Sequence, residues 1–447
     1  MLARPMASSI VACLTVTGFL FLANLALSFV PRAQYHTVAA EALRDGDLPA
    51  TTRVKSAVTV PRYNYTDCIV LGMLLADRSP DSRIQQAVSP RTLTGPGRTV
   101  EGYCEDTAAA ATTGESSSSQ YHNYLHGYWT LSGALLAVMS FAGATTLLWV
   151  VSQVLGLALV ALNLLAFVRT RNPSHAAFAF LGVGAALFTG RDSFSWSLTF
   201  VPTDIVISSF LLVWSLRRAQ GVIGAAFLGA LTAAFEFLLG AFPITAALLL
   251  ISGAFLHEDG KQSRALETFA AFSLTFFLMF VLKAVAVALL FEPEGVVAAG
   301  TTLMSWTSSG SWQLSAANAA RLSDLGIDAN SLSEYRVPSF VFLLAKLAYF
   351  SPTLVFGSFV GGIVITVLLP SAMVAFGVVR AVRGDRRYWL ILAGAAIIMG
   401  WYFVMLNHAI VHTEFMVRML AWLGSIAIGV LAWELAMKHN QVRLSEH

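Results

Sequence analysis

The residues able to move a proton or hold an anion stand at the edges of long apolar runs: Asp67, His126, Arg191, Asp192, Glu236, Lys283, His408, His412, Glu414 and Arg418. Charged groups at membrane depth are costly, so they pair, face a cavity or meet a ligand. Asp67 follows Tyr65-Thr66 and opens an apolar run. It reads as a helix cap, because a carboxylate accepts backbone N–H bonds. It also reads as a general base fixed at the membrane surface by neighbours such as Tyr65. The densest constellation is Asn407-His408-Ala409-Ile410-Val411-His412-Thr413-Glu414-Phe415-Met416-Val417-Arg418. His408 and His412 are four apart, and so are Glu414 and Arg418, the spacing of neighbours on a helix face. The planar fork of Arg418 suits a pair of phosphate oxygens. The competing reading is a Glu414–Arg418 helix pair beside interfacial histidines.

Three further positions carry two readings each. In Tyr121-His122-Asn123-Tyr124-Leu125-His126-Gly127-Tyr128, the two histidines could share one helix face and bind a metal. The aromatic residues equally suit a membrane-interface belt, and Gly127 permits close approach of a backbone or ligand beside His126. Glu236 and Lys283 sit inside apolar runs, where they either pair with each other or line one polar pocket. Asp67 with Asp192 or Glu236 could also hold a divalent cation, Mg or Mn.

The elements that position these residues are membrane helices. The chain is 56% hydrophobic and 12% charged, about half the charge of a soluble domain, and its mean hydropathy is +0.69. An all-α integral membrane protein is expected. The net charge of +3 follows membrane topology and implies no nucleic-acid partner. Basic residues cluster at Arg169/Arg171, Arg217/Arg218, Lys261/Arg264, Arg380/Arg383/Arg386/Arg387 and Lys438/Arg443. If these loops are cytoplasmic, as the positive-inside tendency suggests, the candidate residues all fall on the extracytoplasmic side.

A span needs about 20 apolar residues, and the pattern predicts about ten transmembrane helices with both termini inside. Residues 1–30 form an N-terminal membrane anchor helix and 31–127 a first extracytoplasmic loop. Residues 128–291 form a helix bundle that opens with an interfacial helix at 128–142. Spans follow at 145–168, 174–190, 200–216, 221–238, 242–256 and 266–291. A second extracytoplasmic loop, 292–352, holds Trp306, Trp312 and the apolar piece Phe340–Leu344, read as an interfacial helix cut by Ser351-Pro352. Residues 353–447 supply spans near 353–379, 388–406 and 416–437 and a short tail. Cys68 and Cys104 share the first loop, where an oxidising compartment would permit a disulfide.

Together these segments resemble the GT-C superfamily of polytopic glycosyltransferases, and within it a bacterial branch of large membrane proteins. The resemblance rests on Tyr65-Thr66-Asp67, Leu125-His126-Gly127-Tyr128, Thr232…Phe235-Glu236-Phe237-Leu238 with Pro243, and Asn407-His408…His412…Phe415…Arg418. Two departures stand out: Glu236 replaces an aspartate and Leu125 an aromatic. The resemblance implies inverting transfer of a sugar from a polyprenyl-phosphate donor to a glycan or lipid-linked acceptor, outside the cytoplasmic (inner) membrane. Asp67 would be the catalytic base, and Arg418, His412, His408 and Lys283 would hold the donor phosphate. His126, Tyr65, Arg191, Asp192, Glu236 and Glu414 would position substrate. The rival readings are a transporter or flippase for a lipid-linked or anionic solute, an acyltransferase with a histidine base, and a structural assembly factor.

Overall fold

The computed structural model describes residues 3–48, 65–93, 103–114, 117–122, 124–191, 197–216, 221–235, 240–256, 262–291, 295–297, 300–301, 323, 336–355 and 362–445. Asp192, Glu236, Trp306 and Trp312 lie outside the described residues, as do the side chains of Tyr65, Arg191 and Glu414.

The chain is an all-α membrane protein. Among the described residues, six helices are long and apolar enough to cross a membrane: Arg4–Leu27, Phe141–Thr170, Ser263–Leu290, Val364–Val382, Arg387–Val404 and Met416–Val442. They belong to α1 (Ala3–Leu27), α7 (Phe141–Thr170), α12 (Gln262–Leu290), a π-helical turn at Val364–Leu368 leading into α14 (Leu369–Val382), α15 (Arg387–Val404) and α17 (Thr413–Ser445). Leu14 and Phe19 of α1, Val154 and Leu157 of α7, and Phe277 and Val281 of α12 are exposed, as lipid-facing stripes should be. The segments expected to span at 174–190, 200–216, 221–238 and 242–256 form α8 (Pro173–Arg191), α9 (Phe200–Ser215), α10 (Val222–Phe235) and α11 (Ala241–Leu256). The last three have 16, 14 and 16 described residues. In α11 every residue from Ala241 to Phe255 is buried, the condition of a helix apolar on all sides. It packs on α12, α15 and α17.

The described residues between 32 and 136 fold onto one end of this bundle. They form α2 (Arg32–Arg44), α3 (Tyr65–Leu75), α4 (Arg83–Val88), β1 (Arg91–Leu93), α5 (Tyr103–Thr113), β2 (Ser118–Gln120) and α6 (Gly127–Leu136). The strands pair antiparallel, with Arg91 opposite Gln120. The apolar run after Asp67 is the core of this unit: residues 66–76 are all buried, and α3 packs against α2, α5, β1 and α6. The Arg78 guanidinium lies 5.6 Å from the Tyr35 ring centre and 5.8 Å from that of Trp129, a cation–π contact joining α2 to α6.

Cys68 and Cys104 are disulfide-bonded, linking α3 to α5. The bond closes a loop of sequence separation 36, so Cys68→Ser is expected to cost this unit about 2–4 kcal/mol. Thermal unfolding with and without reductant reads the effect, and an unchanged transition would refute it.

Two expectations are corrected here. The helix holding Phe340–Leu344 is α13, Arg336–Val355, and it continues through Ser351-Pro352. Ser339, Leu343 and Lys346 are buried while Val337 and Val341 are exposed, so α13 turns one face inward. The interfacial helix is also shorter than expected. It ends at Leu136, and Ser140 starts α7 by accepting a bond from the Gly143 amide at 3.1 Å.

The described residues of the basic loops, Arg169, Arg171, Arg264, Arg380, Arg383, Arg386, Arg387 and Lys438, gather at one end of the bundle. Asn440 Nδ2 donates to the Arg171 carbonyl at 2.8 Å, Ser174 Oγ donates to the Phe255 carbonyl, and Arg380 lies 3.6 Å from Glu434. The 32–136 unit sits at the opposite end.

Candidate functional site

α9 organises the end of the bundle beneath the 32–136 unit. Its N-terminal amides need acceptors; Ser197 supplies one, and Asp67 holds Ser197 from another segment. Asp67 Oδ1 accepts from the Leu198 amide at 2.7 Å and from Ser197 Oγ at 3.0 Å. Ser197 Oγ accepts in turn from the Thr199 amide at 3.1 Å. The carboxylate is fully buried. Asp67 therefore fixes the segment that leads into α9, from the separate helix α3 to which it belongs.

Arg418 reaches the same helix from α17. It donates to Asp204 Oδ2, and its guanidinium stands 5.0 Å over the Phe200 ring. Both partners are buried. Arg418 thus has a carboxylate partner on another helix; its competing sequence partner, Glu414, has its side chain outside the described residues. Asp204 is one helix turn beyond Phe200, so the first turns of α9 bring Asp67 and Arg418 to one neighbourhood. Asp204 went unnoticed in the sequence. The signal was there, because Pro202-Thr203-Asp204 puts a carboxylate inside an apolar run, as at Glu236.

His408 and His412 do share a face. α16 (Leu406–Val411) holds the first and ends at the second, and their ring centres are 4.7 Å apart. Lys346 of α13 adds a cationic group, its Nζ donating to the Ile410 carbonyl at 2.7 Å. Each of the three is at most 8% exposed. Burial first, then the like charges of His408 and Lys346, hold the His412 imidazole well below its ordinary range, so at neutral pH it is an uncharged donor and acceptor. Lys346 was also missed. Its signal is helical spacing, with Ser339, Leu343, Lys346 and Leu347 on the buried face.

Lys283 belongs to a different group. Its Nζ donates to the Val88 carbonyl, which closes the C-terminus of α4 and pins the 32–136 unit to α12. His122 lies beside it, with Nδ1 2.8 Å from Ser89 Oγ and its ring edge-on to Phe291 at 4.8 Å. His126 is buried with a left-handed backbone (φ 61). Its Nε2 is 2.8 Å from the Tyr121 carbonyl and its Nδ1 3.1 Å from the Tyr128 hydroxyl. The helix face that a His122/His126 metal pair would need is missing, because the described residues 121, 122 and 124–126 are not helical and each ring bonds elsewhere. Among the described residues, no group of three or more His, Cys, Asp or Glu could hold a metal ion. Gly127 does mark a close approach, to a backbone: a Cβ there would meet the Ala234 carbonyl oxygen at 2.7 Å.

Burial and the nearby Lys283 charge push the His122 pKa down to about 4. The unfolded chain titrates near 6.5, so between those values the unfolded state binds more protons. Stability is then full above pH 6.5 and falls as pH drops toward 4. Unfolding measured from pH 7 to 4.5 should show this slope, reduced in His122→Gln; an equal slope in the variant would count against it.

The chain matches no protein-family model, no curated protein and no solved structure.

Proposed function

We propose that this protein is a membrane glycosyltransferase that moves a sugar from a polyprenyl-phosphate donor to an extracytoplasmic glycan or lipid-linked acceptor. The observation that carries the reading is the buried cluster of Lys346, His408 and His412. One ammonium and two imidazoles able to donate hydrogen bonds, at the bundle end away from the basic residues, form a seat for an anion. The resemblance to GT-C enzymes supplies the donor class. The Cys68–Cys104 disulfide supports an oxidising, extracytoplasmic location for that end. The accompanying topology is about ten spans in the cytoplasmic membrane with both termini inside.

In this reading Asp67, held in place by Ser197 and Leu198, takes the acceptor hydroxyl proton. The acceptor oxygen forms a bond to the anomeric carbon as the bond from that carbon to the phosphate oxygen breaks, and lipid phosphate leaves. Lys346 and the histidines stabilise the departing anion by charge and hydrogen bonds. Arg418 holds α9, and so Asp67, in place through Asp204.

Asp67→Asn tests the base. An amide oxygen still accepts from the Leu198 amide, as asparagine does at helix caps, but it cannot take the proton. The expected result is loss of sugar release from a radiolabelled polyprenyl-phosphate donor in nanodiscs, with donor binding near wild type. Full activity in the variant would remove Asp67 as the base.

One observation favours the second reading, a transporter or flippase. Arg418 and Asp204 form an ion pair inside the bundle, a common mark of a transport path. Donor uptake into proteoliposomes without release of lipid phosphate would select it.

A further inference from the structure

The bundle end opposite the candidate site carries a cluster of exposed basic side chains, centred on the hairpin between α14 and α15. Gly384, with φ +99, makes the turn. Within the hairpin the arginines divide into two kinds. Arg387 holds Asp385 at 2.9 Å, stands 4.8 Å over the Trp433 ring and reaches Met437 Sδ at 3.8 Å. Arg380 lies 3.4 Å from Asp385 and 3.6 Å from Glu434. These two are consumed in docking the hairpin on α17, and they neutralise both nearby carboxylates. Arg383 and Arg386 are exposed. Lys438, the residue after Met437, is exposed on the adjoining turn of α17. Arg169, Arg171 and Arg264 add exposed cations at the same end. Glu267, half-buried on α12, is the remaining carboxylate there among the described residues.

The depth of this surface is marked by Trp389. It is 57% exposed in the first turn of α15, and an exposed indole at the end of an apolar helix belongs at the membrane–water boundary. Arg383, Arg386 and Lys438 thus stand at headgroup level, beside the lipid-facing Val378, Val379 and Val382. A soluble anion would need only the cations. A phospholipid uses the apolar flank as well.

We propose that Arg383, Arg386 and Lys438 bind the phosphodiester headgroup of an anionic phospholipid, whose acyl chains lie along the exposed face of α14. The site is independent of the transferase reading, since it lies at the other end of the molecule and shares no residue with it.

The test is native mass spectrometry of the full chain in detergent, titrated with phosphatidylglycerol or phosphatidylcholine. Wild type should retain phosphatidylglycerol about tenfold more strongly. Arg383→Gln/Arg386→Gln/Lys438→Gln should lose about tenfold in that retention, as expected from a few-fold loss per cation at a membrane surface. Its thermal unfolding should be unchanged, because none of the three anchors the hairpin, and Arg383→Lys/Arg386→Lys should keep most of the binding. Equal retention by the triple variant would overturn the proposal. So would displacement of the lipid by inorganic phosphate at matched concentration, which would indicate a soluble-anion site. Preferential binding of a short oligonucleotide would overturn it too.

Discussion

Asp204→Ala is expected to destabilise the protein by about 3–5 kcal/mol, the usual cost of removing one partner from a buried ion pair. Asp204 and Arg418 are 2% and 7% exposed, so water cannot take over the lost carboxylate. The guanidinium stays over Phe200, on a helix whose start also depends on Asp67. The double variant Asp204→Leu/Arg418→Met should regain much of the loss, because it removes both charges and the desolvation each one suffers. Thermal unfolding in one detergent or nanodisc reads all the variants. A single variant within about 1 kcal/mol of wild type would mean that Arg418 does not depend on Asp204. The guanidinium would then be available to a phosphate, as its sequence context suggests.

The contrast between Arg418 and Asp67 shows how much was legible in the sequence. Apolar length and the spacing of basic loops placed α1, α7, α12, α15 and α17 and gathered Arg171, Arg380 and Lys438 at one end. Those features are local, and a bilayer imposes them on each segment separately. What a charged residue meets is not local. Asp67 lies 131 positions from the amide it accepts from, and Arg418 lies 214 from its partner. Pattern reading offered each its nearest neighbour, its own helix start or Glu414, because i,i+4 pairs are the contacts a single strand of text can show. The same limit made Ile69–Leu75 look like a membrane-surface run. It is the core of a small disulfide-bonded unit, which only the packing of α2, α5 and α6 around it reveals. Pro352 misled for a related reason: a proline forbids one backbone hydrogen bond, and α13 continues past it.

Lys346→Met carries the largest expected effect on ligand binding. Methionine keeps the length and apolar stem of lysine, so α13 retains its packing at Leu343 and Leu347, and the change falls on one charge. The Lys346 ammonium has three donors, and the Ile410 carbonyl engages one of them. That bond points Nζ at α16, between the histidines at 408 and 412. A hydrogen bond to a charged group contributes about 1.5–3 kcal/mol, so polyprenyl-phosphate affinity should fall roughly 10- to 100-fold. Arg418→Gln, by comparison, should lower thermal stability more than affinity, because Asp204 already compensates its charge. Titration of both variants with short-chain polyprenyl phosphate separates the two cations. If Lys346→Met binds like wild type and Arg418→Gln does not, the phosphate seat is at α9. Asp204 must then release its arginine when the donor arrives. If Lys346→Met alone loses affinity, the anion is held between α13 and α16, and the Arg418–Asp204 pair serves to fix α9, whose leading segment holds Asp67.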